Sequence, residues 1–272
     1  MFLTERKLER RISELQSYRY RDLIPLKDLD TAEDEQGIVN PILPQKFDGW
    51  AKMNVGDTWH GRDKYLWLHK NVVIPEAWLG KKAVGLFDYG NTGAGNNSGF
   101  ESMLYVNGRP FQGVDANHKE VFFDDADYGH EINLTFRLWT GLEGGGVPRP
   151  QEHRINQAAL AWLDETVDGF FYMGKMIVET LNVLDKNDSV RYDLMQALDD
   201  ACLCIDWSEP GSEAFYRSVY EADAVLNDKL SAMEKHSQVN ISCVGHTHID
   251  VAWLWRLKHT REKISRSFST VL

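Results

Sequence analysis

Apolar residues fall in two rhythms along this chain, one that predicts helices and one that predicts strands. Over residues 4–17, Leu8, Ile12 and Leu15 recur at helical spacing among charges, which predicts a short amphipathic helix. Residues 31–46 are acidic, then proline-bearing (Asn40-Pro41, Leu43-Pro44), and read as a connecting segment. From Trp50 the rhythm shortens. Residues 65–74, 83–89, 101–106, 120–123 and 130–138 are short runs rich in aromatic and β-branched residues, separated by Gly, Pro, Asn and Asp. The last alternates, with Ile132, Leu134, Phe136 and Leu138 on one face and Asn133, Thr135 and Arg137 on the other. Asn107-Gly108 after a strand signals a hairpin whose central residues need positive φ. Short strands at regular spacing predict a β-sandwich or jelly roll over residues 47–140. The tryptophans inside it, Trp59, Trp67 and Trp78, read as core, and the Gly/Asn-rich loop 90–99 as a solvated turn.

Residues 141–150 hold four glycines and two prolines and mark a boundary. A helical rhythm follows. Ile155, Ala159, Trp162, Phe170, Met173, Ile177, Leu181 and Leu184 form one stripe; Leu194, Leu198, Ala201 and Ile205 a second; Phe215, Val219, Ala222, Leu226, Leu230 and Met233 a third. Residues 239–244 then read as a buried strand, and residues 258–272 as a helix with Ile264, Phe268 and Val271 along one side. A buried strand, a loop and a helix are the opening of a βα unit. One such unit cannot close a parallel sheet, and the helical pattern is still running at Leu272. The expected architecture is therefore multidomain α+β: an N-terminal helix and linker (1–46), the sandwich (47–140), a linker and helical segment (141–237), and the first strand and helix of an incomplete α/β barrel (238–272).

The net charge of −11 argues against a nucleic-acid or anionic-membrane partner, either of which would need a basic patch. No apolar run is long enough for a membrane span, and residues 1–7 lack the apolar core of a signal peptide. The 3 cysteines are an odd number, and Cys202 and Cys204 sit two apart on an expected helix, so a disulfide framework is not expected and a reducing cytoplasm is the simplest location.

The candidate chemistry lies where the expected last strand ends. His246, His248 and Asp250 occupy alternate positions, so in an extended segment their side chains point the same way. Imidazole and carboxylate are ligands that a divalent transition metal accepts, and Trp253 and Trp255 follow as an aromatic wall. In α/β barrels the functional groups gather at the carboxyl ends of strands.

The strand order and the Val-Asn-Gly hairpin at residues 106–108 resemble, diffusely, the galactose-binding-like jelly rolls that precede many glycosidase catalytic domains. A sharper likeness lies in Gly245-His-Thr-His-Ile-Asp-Val-Ala-Trp253, which resembles the first-strand signature of glycoside hydrolase family 38, the class II α-mannosidases of cytosolic and bacterial type. The resemblance implies a zinc-dependent retaining α-mannosidase acting on a mannose-containing glycan or small mannoside. It implies His248 and Asp250 as metal ligands, Trp253 as the substrate-binding wall, and His246 standing behind them. The family's nucleophile, its acid/base and its remaining metal ligands have no match here, so the resemblance places no catalytic residue in this chain and implies that the chain alone is inactive. The exposed edge of a partial barrel would also favour a homo-oligomer. Two other readings compete. A zinc amidohydrolase would use His246 and His248 together, and the sandwich could serve as a non-catalytic carbohydrate-binding or subunit-contact module.

Overall fold

A computed structural model describes residues 4–90, 100–142, 147–234 and 240–272. The chain divides differently from the four expected segments. It forms two compact units, one from residues 1–22 and 163–242, the other from residues 23–162 and 243–272.

The first unit is helical. α1 (Thr4–Leu15) is the amphipathic helix its spacing predicts, with Leu8, Ile12 and Leu15 buried. It packs with α2 (Glu165–Val183) and α3 (Ser189–Leu203), and α4 (Glu213–Ala232) closes the group against α2 and α3. The helix starts are chemically marked. The side chains of Asp164, Asp188 and Ser212 accept backbone N–H bonds from Val167, Val190 and Phe215, satisfying donors that the first turn leaves free. Gly174 allows α1 and α2 to approach closely, because a Cβ there would fall 2.3 Å from Ile12 Cδ1.

The second unit is built on sheets. Its strands are β1 (Tyr20–Pro25, entering the unit at Leu23), β2 (Leu29–Asp34), β3 (Ala51–Met53), β4 (Thr58–Gly61), β5 (Tyr65–Val73), β6 (Lys82–Asp88), β7 (Glu101–Val106), β8 (Arg109–Asp115), β9 (Glu120–Phe122), β10 (Glu131–Trp139), β11 (Gln151–Arg154) and β12 (Gln157–Leu163). They form a six-stranded sheet, β3-β2-β5-β10-β7-β8, a four-stranded sheet, β1-β12-β6-β9, and the pair β11-β4. The alternation read in β10 is realised. Ile132, Leu134, Phe136 and Leu138 point into the core, where Phe136 meets Phe87 and Tyr89 of the other sheet, with ring centroids 4.8 and 5.2 Å apart. Trp59 and Trp78 are buried in that core as expected, and Trp67 is buried as well. Asn107 and Gly108 take φ of 50° and 77° in the β7–β8 hairpin, as their sequence predicts. Residues 91–99 of the expected Gly/Asn loop lie outside the described residues.

Three expectations need correction. The supposed connecting segment 31–46 begins inside β2, an acidic strand. Its charges are met across the sheet by Lys52 on Asp30, Lys64 on Glu33 and Arg137 on Asp34, so polarity here marks pairing and not a loop. Ile155, Ala159 and Trp162 are not helical. Gln157–Leu163 is a central strand buried on both faces, so it shows no alternation and its apolar run mimics a helical stripe. Finally, the buried strand over 239–244 is absent among the described residues: Asn240–Val244 has no strand, and Ile241 and Val244 are 82% and 80% exposed. A parallel strand exists through its neighbours, and no strand of the described residues pairs with this segment. The helix of the expected βα unit is present as α5 (Leu257–Val271). No described helix is long and apolar enough to cross a membrane.

Candidate functional site

α5 fixes the surroundings of the His/Asp segment, and it is seated by polar groups. The expected apolar stripe faces out, with Phe268 and Val271 exposed, whereas His259, Thr260 and Lys263 are buried toward the six-stranded sheet. Asp63, a non-glycine residue at φ 59°, is one anchor. Its Oδ1 accepts the indole N–H of Trp139 (3.1 Å) and lies 2.8 Å from His259 Nε2, and its other oxygen pairs with Arg256. His259 Nδ1 accepts the backbone N–H of Arg256 (3.0 Å), so the ring's proton sits on Nε2 and is donated to Asp63. Burial first, then the nearby cations Lys258 and Arg256, push the His259 pKa down to about 4, so at neutral pH this contact is a hydrogen bond and not an ion pair.

The second anchor is Arg137 of β10. Its buried guanidinium reaches Asp34 Oδ2 (2.7 and 2.9 Å), Glu262 Oε1 of α5 (3.1 Å) and the carbonyl of Ile38 (2.9 Å). Tyr65 donates its hydroxyl to the other Glu262 oxygen at 2.7 Å; burial and that carboxylate raise the Tyr65 pKa well above its ordinary value. Glu101 of β7 forms the third. Burial acts to raise its pKa, but Arg266 and Lys263, both paired with it, outweigh that and hold it low. Asp63, Glu101 and Glu262 were not singled out by sequence, because an anchoring carboxylate and a solvated one read alike.

Ahead of α5, the chain folds back on the helix start. Trp255 donates its indole N–H to Thr260 Oγ1 (3.0 Å), and that hydroxyl donates to the carbonyl of Val251 (2.5 Å). Of the anticipated site residues, His248 and Asp250 are brought together, with Nε2 and Oδ1 3.2 Å apart. His246 is exposed, and Trp253 is 66% exposed. Asp250 and Trp253 line a cavity of about 600 Å³, whose other walls come from α5, Trp139 and the turn after β8. Among the described residues no group of three or more potential ligands converges, so His248 and Asp250 stand as a pair. Imidazole and carboxylate are donor types that a zinc ion accepts.

Residues 238–272, which contain all four of these site residues, match the family described as "Glycosyl hydrolases family 38 N-terminal domain". In that segment the chain is similar to family 38 glycosyl hydrolases. Over 236 residues it is 26% identical to mouse alpha-mannosidase 2C1, covering 82% of this chain, and over 231 residues 25% identical to the human protein of that name. Alpha-mannosidase G of Dictyostelium discoideum is 50% identical over 41 residues, 15% of this chain and 4% of that protein. The chain spans about a fifth (21%) of the length of the mouse and human relatives. Among solved structures, an uncultured Clostridium beta-glucuronidase overlaps 53% of this chain and 29% of its own, at 14% identity and a TM-score of 0.37. The family 38 match thus falls on the segment in which the structure pairs His248 with Asp250.

Proposed function

We propose that this chain is the N-terminal part of a zinc-dependent retaining α-mannosidase, in which a galactose-binding-like jelly roll and a helical segment accompany the family 38 segment. The observation that carries the proposal is the coincidence of the family 38 match over 238–272 with the His248–Asp250 pair. His248, through a ring nitrogen, and Asp250, through a carboxylate oxygen, would hold one zinc ion per active site. When bound, zinc holds substrate hydroxyls and favours the distorted ring. Trp253 offers an open indole face on which the apolar face of a mannose ring stacks. Retaining hydrolysis also needs two carboxylates about 5 Å apart, one as nucleophile and one as acid then base. Asp250, committed to the metal, is neither, so both come from other parts of the family 38 domain, and this chain alone hydrolyses nothing. Its 3 free cysteines suit a cytoplasmic location.

The test is metal content and hydrolysis of 4-nitrophenyl α-mannoside in the full-length protein. His248→Ala and Asp250→Ala are each expected to remove stoichiometric zinc and activity together, while His246→Ala retains the metal. Loss of zinc in His246→Ala with retention in Asp250→Ala would replace the mannosidase by the amidohydrolase arrangement.

A further inference from the structure

The cavity beside Asp250 and Trp253 has a volume of about 600 Å³, and one of its walls lies outside residues 238–272: it is the turn 115–118 that follows β8. We propose that this turn forms a subsite for a second, neutral hexose of the substrate, with His118 and Asn117 as its specificity-determining residues; the proposal rests on the mannosidase reading above.

Three observations support it. The volume, about 600 Å³, lies in the range of small-ligand sites. Its walls combine tryptophan surface (Trp253, Trp255) with hydrogen-bonding groups, the combination a sugar ring with one apolar and several polar edges requires. Its cations are largely spent. Lys263 and Arg266 are both held by Glu101, which leaves the carboxylates of the lining, Asp115 and Asp250, to repel an anionic ligand.

The turn is built to present that capacity. Asp115 Oδ1 accepts the backbone N–H of Asn117 (2.8 Å) and of His118 (3.0 Å), which locks the loop. The same oxygen lies 2.9 Å from His118 Nδ1. A carboxylate only accepts, so Nδ1 carries the proton and Nε2 of the half-exposed ring is left as an acceptor for a hydroxyl. Asn117, at the exposed tip, offers an amide donor and acceptor.

Two measurements test this. In the full-length protein, the ratio of kcat/KM for mannobiose to kcat/KM for 4-nitrophenyl α-mannoside is expected to fall about five- to tenfold in His118→Ala and in Asn117→Ala, through KM, the size of one lost hydrogen bond. An unchanged ratio in both folded variants overturns the subsite while leaving the mannosidase reading intact. In the 272-residue chain, millimolar mannobiose is expected to change tryptophan fluorescence, and His118→Ala to weaken that binding several-fold. Absence of binding, or binding indifferent to both substitutions, also overturns it. Failure of the wild-type full-length protein to hydrolyse the aryl mannoside instead removes the reading on which the subsite rests.

Discussion

His259 shows how much one side chain can carry when its two ring nitrogens are both assigned. The neutral ring accepts from the Arg256 backbone and donates to Asp63, and charging it would break the first bond and crowd the ring among Lys258, Arg256 and Lys263. The folded-state pKa, down to about 4, lies below the unfolded value of about 6.5, so the unfolded chain takes up the proton first. Stability from this residue is therefore complete above about pH 6.5 and falls as pH drops toward 4, by up to about 1 kcal/mol per pH unit. Urea denaturation across that window should show the slope, and His259→Gln, which keeps a donor and an acceptor, should flatten it. Gly174 is the counterpart in the helical unit. Alanine there must displace Ile12, which is buried, and is expected to lower that unit's stability by about 1–3 kcal/mol despite its better helix propensity, as read by thermal denaturation followed by circular dichroism.

At the scale of elements, α5 is the instructive case, because its sequence shows an apolar stripe and its structure buries the polar one. Periodicity locates a helix but ranks its faces only by hydropathy. The seat of α5 is set by three carboxylates (Asp63, Glu101, Glu262) that meet cations and hydroxyls from residues far away in the chain, and no local pattern reports those meetings. β2 misleads for the same reason, since Asp30, Glu33 and Asp34 look like loop until Lys52, Lys64 and Arg137 stand opposite them. Where apolar and polar positions alternate or repeat locally the sequence was readable, as in α1, β10 and the Asn107-Gly108 turn. Alternate spacing put His246, His248 and Asp250 forward together and did not choose the His248–Asp250 pair among them, and the wall formed by 115–118 was not legible at all. Glu262→Ala removes one acceptor from Arg137 and the partner of Tyr65, leaving Asp34 to hold the guanidinium. It should cost about 1–3 kcal/mol and raise amide exchange in α5 above that in β10. Equal exchange in the two elements would mean that the helix is held by other contacts.

The whole molecule is assembled out of chain order, and this sets what can be cut from it. The helical unit takes its first helix from residues before the sheets and its other three from residues after them. Leu8, Ile12 and Leu15 of α1 lie in one core with Phe170, Leu198, Phe215 and Leu226 of the later helices. At roughly 1.5–3 kcal/mol for each fully buried side chain, α1 contributes on the order of 5–8 kcal/mol, as much as the entire net stability of many domains. A cut at the glycine-rich boundary near residue 141, where composition changes most, would therefore separate α1 from its partners. The fragment 163–242 alone should lack a cooperative thermal transition. Adding a peptide of residues 1–22 should restore helical circular dichroism and a transition whose midpoint rises with peptide concentration, as mass action requires when a ligand binds only the folded state. A peptide carrying Leu8→Ala and Ile12→Ala should fail to do so. Cooperative melting of 163–242 without the peptide would show that α1 merely covers a core the later helices complete among themselves.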